Sequence, residues 1–301
     1  MMGAEPYIAA LQGGADVVLA GRSSDTAIFA SIPTHLGFPE GLAWHAAKIL
    51  ECGAAAATHR KTPDCIMATI GRDDFVIEPL DPELRCTPQS IAAHSLYENA
   101  DPFLLREPGG TLDIRAASYQ AVDSRVVRVR GSKFIPADQY TIKLEGAELV
   151  GHQALVIGSV RDPFIIRQID DWLARLNEKM RARVKDVYGA ELDNRWHLNV
   201  HVYGKNGTMG ALEPVKETQA HELCLLFRAI APDAETALAI ASMTRHQALH
   251  LPIPEWSGLI TGVACPVTPS YHGPVYRFNV NHVVEVDDPL ELFRIEHIDV
   301  H

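Results

Sequence analysis

The first fifty residues alternate between helical and strand-like hydrophobic patterns. Pro6 near the start and the pair Gly13–Gly14 predict a short first helix. The apolar run ADVVLAG, residues 15–21, is typical of a parallel strand that is buried on both faces. The segment EGLAWHAAKILECG, residues 40–53, repeats apolar positions at helical spacing and ends at a glycine, so it predicts another helix. Together these elements indicate a partial parallel, Rossmann-like layer of an α/β fold.

The predicted layer lacks neighbouring strands. An open parallel sheet needs them, and little sequence precedes residues 15–21 to supply them. We therefore expect either that another chain completes the sheet or that the chain belongs to a longer architecture. On the same ground we expect an oligomer.

The middle of the chain, residues 58–189, predicts a strand-rich segment with many turns. A helix over residues 88–98 would be capped by Thr87, with proline at its first position. The amphipathic run from Asp162 to Gly189 predicts a long helix that is capped by the aspartate and ended by the glycine. Alternating or apolar runs predict three strands between these helices: RVVRVRG at 125–131, QYTIKLEG at 139–146 and ALVIGSV at 154–160.

The last hundred residues predict the order strand, strand, helix, strand, strand. One helix on a four-stranded, mostly antiparallel sheet is a ferredoxin-like α+β sandwich. We therefore divide the chain into an α/β core with a strand-rich insertion, residues 1–189, and a ferredoxin-like domain, residues 190–301. The five predicted elements are, in order, WHLNVHVYG, HELCLLFRAIA, DAETALAIASMTRHQALHL, GLITGVACPV and VYRFNVNHVVEV.

Composition places the chain among ordinary soluble globular proteins, with 47% apolar and 22% charged residues. Its net charge of −11 and the lack of a basic tract argue against a nucleic-acid partner. No apolar run reaches the about 18 residues of a membrane helix, and the first residues do not resemble a signal peptide. Five scattered cysteines without a C-x-x-C pair predict reduced thiols in a cytoplasmic protein.

Standard cofactor and nucleophile motifs are absent from the sequence. There is no G-x-G-x-x-G after a strand, no G-x-x-x-x-G-K-[ST] and no G-x-S-x-G. The run HELCL begins like a zinc protease helix, but Leu225 stands where the second histidine should be. The sequence therefore predicts no particular cofactor and no metal ligands.

The polar loop at residues 21–26 is the first candidate site, because loops after parallel strands line the ligand crevice of α/β folds. The following helix amides could bind an anion, and the Arg22 guanidinium could hold a carboxylate or phosphate. Asp25 is a candidate general base. The alternative is structural, with Ser24 or Asp25 capping a helix and Arg22 in a surface ion pair. The candidate binding residues here are Gly21, Arg22, Ser23 and Ser24.

Two further candidates lie on REPGGTLD and YTIKLEG. Glu107 and Asp113 are candidate acid or base groups, and Gly109 and Gly110 would let the backbone approach a ligand. The alternative is a tight turn with solvated carboxylates. Lys143 shares a strand face with Glu145 and could act as an electrostatic partner in catalysis, or the two could form an ordinary ion pair.

Histidine pairs give weaker candidates. His94 lies one helical turn from Tyr97, which suits either a pocket or an ordinary helix surface. His246 and His250 have chelating helical spacing, but no third metal ligand is evident. One face of a predicted strand is unusually polar and suggests a pocket or an interface: His197, Asn199, His201 and Tyr203.

Several of these segments, in this order, resemble the acyclic terpene utilisation (AtuA-like) family over nearly the whole chain. The resemblance implies a catabolic setting, often beside acyl-CoA carboxylases, dehydrogenases and hydratases, and a C-terminal ferredoxin-fold domain. It assigns no catalytic residue, and the usual Gly-rich N-terminal segment of the family is missing here. The segments are GAEPYIAALQGGADVVLAGRSSDTAIFA, AAKILECG, REPGGTLD, YTIKLEG and VYRFNVNHVVEVDDPLELFRIEH.

These observations predict an enzyme, or an enzyme subunit, that acts on a small branched carboxylic acid or its CoA ester. Without a hydride-cofactor motif, lyase, hydratase or isomerase chemistry is favoured, with Arg22 holding the anion and Asp25 or Glu107 moving a proton. A second reading is a non-catalytic structural or regulatory subunit that docks onto a catabolic enzyme. A third is a metal-dependent hydrolase. The expected partners are a small carboxylate or CoA ester and a second subunit or copy, with neither nucleic acid nor membrane.

Overall fold

A computed structural model describes residues 1–58, 65–95, 97, 99–254 and 269–300. The chain forms two compact units, one of residues 1–146 and 280–301 and the other of residues 147–279. The boundary predicted after residue 189 lies inside the second unit, and it stays a prediction about domains. The predicted strand GLITGVACPV lies outside the described residues. No helix in the described part is long and apolar enough to cross a membrane.

The helices of the first unit begin and end near the predicted local signals. The first helix begins beside Pro6 and stops at Gly13, as expected. The fourth is shorter than predicted, and its start is a capping box in which the Thr87 and Ser90 side chains each accept from the other's backbone N–H. The four helices are α1 (Glu5–Gln12), α2 (Asp25–His35), α3 (Glu40–Leu50) and α4 (Pro88–His94).

Two antiparallel sheets complete the first unit. One has the strand order β1-β2-β6-β5 and the other β3-β4-β7. Phe75 and Val129 face each other in the first sheet and pack with Ile49 of α3, while Leu105 and Leu112 pack with α2 and α3 residues in a second core. The strands are β1 (Ile66–Ile70), β2 (Phe75–Pro79), β3 (Leu104–Glu107), β4 (Gly110–Asp113), β5 (Ser118–Ala121), β6 (Val127–Arg130) and β7 (Lys133–Pro136).

The predicted parallel strand ADVVLAG is not a strand in the structure. Residues 15–21 are assigned no strand, and Val17 and Leu19 are 83% and 100% exposed. The nearest feature is an isolated parallel bridge between Met2 and Ser23. The sequence prediction was wrong here because a strand needs a neighbour for its backbone groups, and the described chain brings none alongside residues 15–21.

The second unit is built on one four-stranded sheet with the order β11-β8-β10-β9. Strand β10 pairs antiparallel with both β8 and β9. Helices α6 and α7 contribute Trp172 and Ile240 to a core shared with Phe227 of β10. The elements are β8 (Tyr140–Val160), α5 (Pro163–Arg167), α6 (Ile169–Tyr188), β9 (His197–Tyr203), β10 (Leu223–Ala231), α7 (Ala234–His250) and β11 (Ser270–Val286). The first residues of β8, up to Gly146, and the last residues of β11, from Val280, belong to the first unit.

Two predicted boundaries in this part of the chain differ from the structure. The strands predicted at 139–146 and 154–160 are a single strand, β8, because the intervening residues continue the extended backbone. The helix predicted from Asp162 to Gly189 is broken at Gln168, whose backbone leaves the helical region with φ −111° and ψ 24°. The Asp162 carboxylate caps α5, as predicted, by accepting from two backbone N–H groups.

Candidate functional site

The turn before α2 holds the cationic part of the predicted site. The Arg22 side chain is exposed, and its Nε donates to Glu145 Oε2 at 2.9 Å. The ammonium of Lys143 lies 2.7 Å from the other oxygen, Oε1, of the same carboxylate. The hydrogen bonds from Lys143 and Arg22 lower the pKa of Glu145. Arg22 and Lys143 thus contact the same carboxylate. These contacts are also what the structural alternatives predicted, namely a surface ion pair for Arg22 and a Lys143–Glu145 ion pair.

The two serines that follow Arg22 make side-chain hydrogen bonds, one buried and one partly buried. The hydroxyls of Ser23 and Tyr7 lie 2.9 Å apart, and Ser24 Oγ donates to Glu107 Oε2 at 3.3 Å. Ser24 is the N-cap residue of α2, yet its side chain makes no capping bond to a helix amide within the described chain. Its hydroxyl instead links the loop at residues 21–26 to Glu107, the candidate acid or base.

Glu107 ends strand β3 and is partly buried at the start of α2. Burial raises the pKa of this carboxyl to about 7, since loss of water disfavours the charged form. The Lys48 charge works in the opposite direction, whereas the charge of Glu51 raises the pKa further. The nearby Ser24 and Thr26 hydroxyls lower it by stabilising the charged form. The balance leaves an acid that titrates near neutral pH.

An ion pair at the end of α3 lies beside Glu107. The Lys48 ammonium is 2.5 Å from Glu51 Oε1, and both side chains are largely shielded from water. Thr26 Oγ1 donates to Glu51 Oε2 at 2.6 Å, so Glu51 is held from two sides. Burial opposes the charge of Lys48, but the hydrogen bond and charge of Glu51 outweigh it and the lysine pKa is raised. Glu107 therefore lies beside a Lys48–Glu51 ion pair that is held in place by Thr26.

Two buried histidines, His94 and His45, lie near the Lys48–Glu51 pair. Burial lowers the pKa of His94, at the end of α4, although the nearby Glu51 carboxylate opposes the shift. His45 on α3 is fully buried, its Nδ1 lies 2.6 Å from Ser132 Oγ, and burial lowers its pKa to about 3. His45 is therefore neutral at physiological pH.

The glycines after Glu107 are tightly packed. Gly109 has φ +78°, and a Cβ there would lie 2.9 Å from the Tyr140 ring. The Tyr140 hydroxyl donates to Glu5 Oε2 at 2.6 Å. A Cβ on Gly110 would lie 2.5 Å from the Ile135 carbonyl oxygen. Both glycines thus allow close packing at the β3–β4 turn, and their predicted ligand role stays a prediction.

The structure therefore brings some, but not all, of the predicted site residues into contact. It brings Ser24 to Glu107 and brings Arg22 to Lys143 through Glu145, while Asp25 stands exposed at the first position of α2. Sequence reasoning missed three neighbours of Glu107: Thr26, Lys48 and Glu51. A signal for the last two exists, because a lysine and a glutamate stand three residues apart within the apolar pattern of AAKILE.

A cavity of about 470 Å³ borders the same turn in the first unit. Arg22 and Tyr7 line it, so the turn that carries Ser24 also borders open space large enough for a small organic ligand. Among the described residues, no group of three histidine, cysteine, aspartate or glutamate side chains could hold a metal ion. The remaining lining comes from residues 1 and 2, from α1, from the segment before Arg22 and from residues 292–297.

Comparison with known proteins gives one match. The family model described as acyclic terpene utilisation family protein AtuA matches residues 1–59 and 71–282. No curated protein and no solved structure matches the chain. The matched residues are most of the chain and include the turn before α2, Glu107 and Lys143. The chain therefore belongs to the acyclic terpene utilisation family AtuA, whose role lies in the catabolism of acyclic terpenes.

Proposed function

We propose that this chain is an enzyme, or an enzyme subunit, that moves a proton on a small branched carboxylic acid or its CoA ester. The observation that carries the proposal is the Glu107 carboxyl, held by Ser24 and shifted in pKa to about 7. A group that titrates near neutral pH can both accept and return a proton, which is what general acid–base catalysis requires. The reaction class is lyase, hydratase or isomerase.

In the proposed reaction the Glu107 carboxylate removes a proton from the carbon next to the substrate carbonyl. The electron pair left on that carbon is delocalised onto the carbonyl oxygen. In an isomerase the protonated Glu107 returns the same proton to another carbon of the conjugated system. In a dehydration it protonates a departing hydroxyl, which leaves as water. No oxidant or reductant is needed in any of these steps.

Arg22, Ser23, Ser24 and the Gly21 backbone would bind the substrate anion. Arg22 is exposed and borders the cavity, and its present partner Glu145 also receives Lys143. A substrate carboxylate could replace Glu145 as the acceptor of the Arg22 N–H groups, since guanidinium binds carboxylates by two parallel hydrogen bonds. Lys143 then supports the anion electrostatically. Asp25 remains a second proposed proton carrier, and Gly109 and Gly110 remain proposed contacts for the substrate.

The test measures substrate binding and turnover in matched variants. Short branched carboxylates and their CoA esters are first screened by thermal shift, because a ligand that binds the folded state raises the melting temperature. We expect Glu107→Gln to lower turnover by about 100-fold or more, the usual contribution of a general acid or base. Arg22→Ala should weaken binding. Glu40→Gln, an exposed glutamate on α3, is the control.

The pH profile adds an independent readout. Wild-type kcat/KM should change through a pKa near 7, and this limb should vanish in the residual activity of Glu107→Gln. If Glu107→Gln and Arg22→Ala both retain wild-type binding and turnover, the proposed site is wrong. Loss of activity in Glu40→Gln to the same extent would equally contradict it.

A second candidate function is a non-catalytic subunit of a catabolic complex. It is favoured by exposed apolar side chains on α2 and in the preceding segment, since large exposed apolar patches mark protein interfaces. A partner could also supply the neighbouring strand that residues 15–21 lack in the described chain. A stoichiometric partner recovered from native cells supports this function, whereas turnover by the purified chain alone excludes it. The exposed residues are Val17, Leu19, Ile28, Phe29, Ile32 and Leu36.

We further propose that the second compact unit is a ferredoxin-like sandwich. Its elements follow in the order β8, α6, β9, β10, α7 and β11, and its sheet has the strand order β11-β8-β10-β9. These features support an assignment in which β8 and α6, predicted as part of residues 1–189, belong to the sandwich together with later elements.

A further inference from the structure

A second cavity, of about 460 Å³, lies in the second unit under the loop of residues 206–210. We propose that this cavity binds the carboxylate or phosphate group of a small ligand, with the Arg228 guanidinium as its anchor. The polar side chains that border it are Asn199, His201, Asn206, Thr208 and Arg228. None of these residues takes part in the site around Glu107, so the two proposals can be tested independently.

Arg228 is placed by the sheet register. It lies on β10 directly opposite Asn199 of the edge strand β9, so both side chains stand on the same face of the sheet. The Arg228 Nε is buried and has no hydrogen-bond partner among the residues that the structure describes. A buried guanidinium N–H without an acceptor is unfavourable, and an oxygen of a bound anion would satisfy it.

The charge of the cavity favours an anion. Its described lining contains the Arg228 cation but no aspartate or glutamate, although the whole chain carries a net charge of −11. Asn199, Asn206 and Thr208 add amide and hydroxyl donors, and His201 adds a ring nitrogen. A planar guanidinium surrounded by neutral donors suits a planar or tetrahedral oxyanion.

The loop over the cavity is held in place by backbone hydrogen bonds. The Val202 carbonyl accepts from the N–H groups of Lys205, Asn206 and Gly207 at 3.2, 3.1 and 2.8 Å. A Cβ on Gly207 would lie 2.9 Å from the Tyr203 nitrogen, so only glycine fits this close approach. The Lys205 ammonium also pairs with Asp170 at the start of α6. These contacts fix the backbone that carries Asn206 beside the cavity.

The experiment follows the arginine Nε–H resonances of the ¹⁵N-labelled full chain. Sodium phosphate and sodium 3-methylbutanoate are titrated separately at constant ionic strength, with sodium chloride as the balancing salt. We expect one resonance, identified by its absence from Arg228→Gln, to shift saturably with at least one anion. Arg228→Gln should weaken binding of that anion by about tenfold or more, as loss of a hydrogen bond to a charged group predicts.

Control variants separate a specific site from general charge attraction. Arg175→Gln removes an exposed arginine from α6 and should leave the affinity unchanged. Asn199→Ala, on the edge strand, should weaken binding even if Arg228→Gln fails to fold. A response to phosphate alone assigns a phosphorylated ligand, and a response to 3-methylbutanoate alone assigns a carboxylate. No saturable shift with either anion, or equal loss in Arg175→Gln, overturns the proposal.

Discussion

At the scale of single residues, the behaviour of Glu107 depends on side chains that are distant in sequence. Lys48 and Glu51 end α3, Ser24 and Thr26 begin α2, and Glu107 ends β3. The carboxyl could be named as a candidate from REPGGTLD alone. Its pKa near 7 could not, because that value follows from burial and from charges brought together by folding. The same holds for His45, which no sequence pattern marked as buried and neutral.

The pKa of Glu107 predicts how stability depends on pH. Because the folded-state pKa lies above the ordinary value of 4.5, the folded chain binds the proton more tightly than the unfolded chain. The side chain's contribution is therefore most favourable below pH 4.5 and is lost as pH rises through about 7. Relative to wild type, Glu107→Gln should gain up to about 3 kcal/mol in unfolding free energy between pH 4.5 and 8.

Urea denaturation at several pH values measures this difference. Glu40→Gln, on the exposed start of α3, should differ from wild type by a constant amount over the same range. A Glu107→Gln difference that does not change with pH would show that Glu107 titrates normally in the folded chain.

At the scale of elements, local signals were reliable where they act through backbone geometry. Proline at a helix start, the Thr87 cap and the Asp162 cap lie where the sequence placed them. Breaks without a glycine or proline were missed, as at Gln168, because the backbone leaves the helix there without a local residue that requires it. At the β3–β4 turn, the sequence showed the glycine pair Gly109–Gly110. It did not show that the Tyr140 ring packs against Gly109.

Gly109→Ala tests the packing of that turn against a matched control. Gly37 has a similar φ of +72° but open space where a Cβ would lie, whereas a Cβ at Gly109 would meet the Tyr140 ring. Gly37→Ala should cost about 1–2 kcal/mol from backbone strain alone. Gly109→Ala should cost about 1–3 kcal/mol more, because the ring must also move. Thermal and urea denaturation give both values; equal costs would mean that the ring contact is unimportant.

At the scale of the whole molecule, the first unit exposes an apolar surface formed by α2 and the segment before it. Ile32 and Leu36 of α2 are 54% and 60% exposed, and Leu19 in the preceding segment is fully exposed. An apolar run of this kind is typical of a buried strand, yet residues 15–21 form none here. We interpret this surface as one that another copy or a second subunit covers.

Substitution within this surface should weaken that assembly. Ile32→Glu places a charge on the apolar face of α2 and should shift the sedimentation of the chain, alone or with its co-purified partner, towards the monomer. Ile135→Glu alters an isoleucine of similar exposure on β7 and should leave the assembly intact. A wild-type chain that sediments as a monomer and brings no partner from native cells would contradict the interpretation.

The sequence by itself determined the family, most helices, the strands β6 and β8 to β11, and a short set of polar candidates that includes Ser24 and Glu107. These follow from neighbouring residues, because caps, turns and hydrophobic periods act over a few positions. Only the tertiary structure decided that residues 15–21 are not a strand, that Lys48 and Glu51 border Glu107, and that Arg228 faces a cavity. Strand pairing, burial and charge proximity join residues far apart in the chain, so their outcome is set by packing.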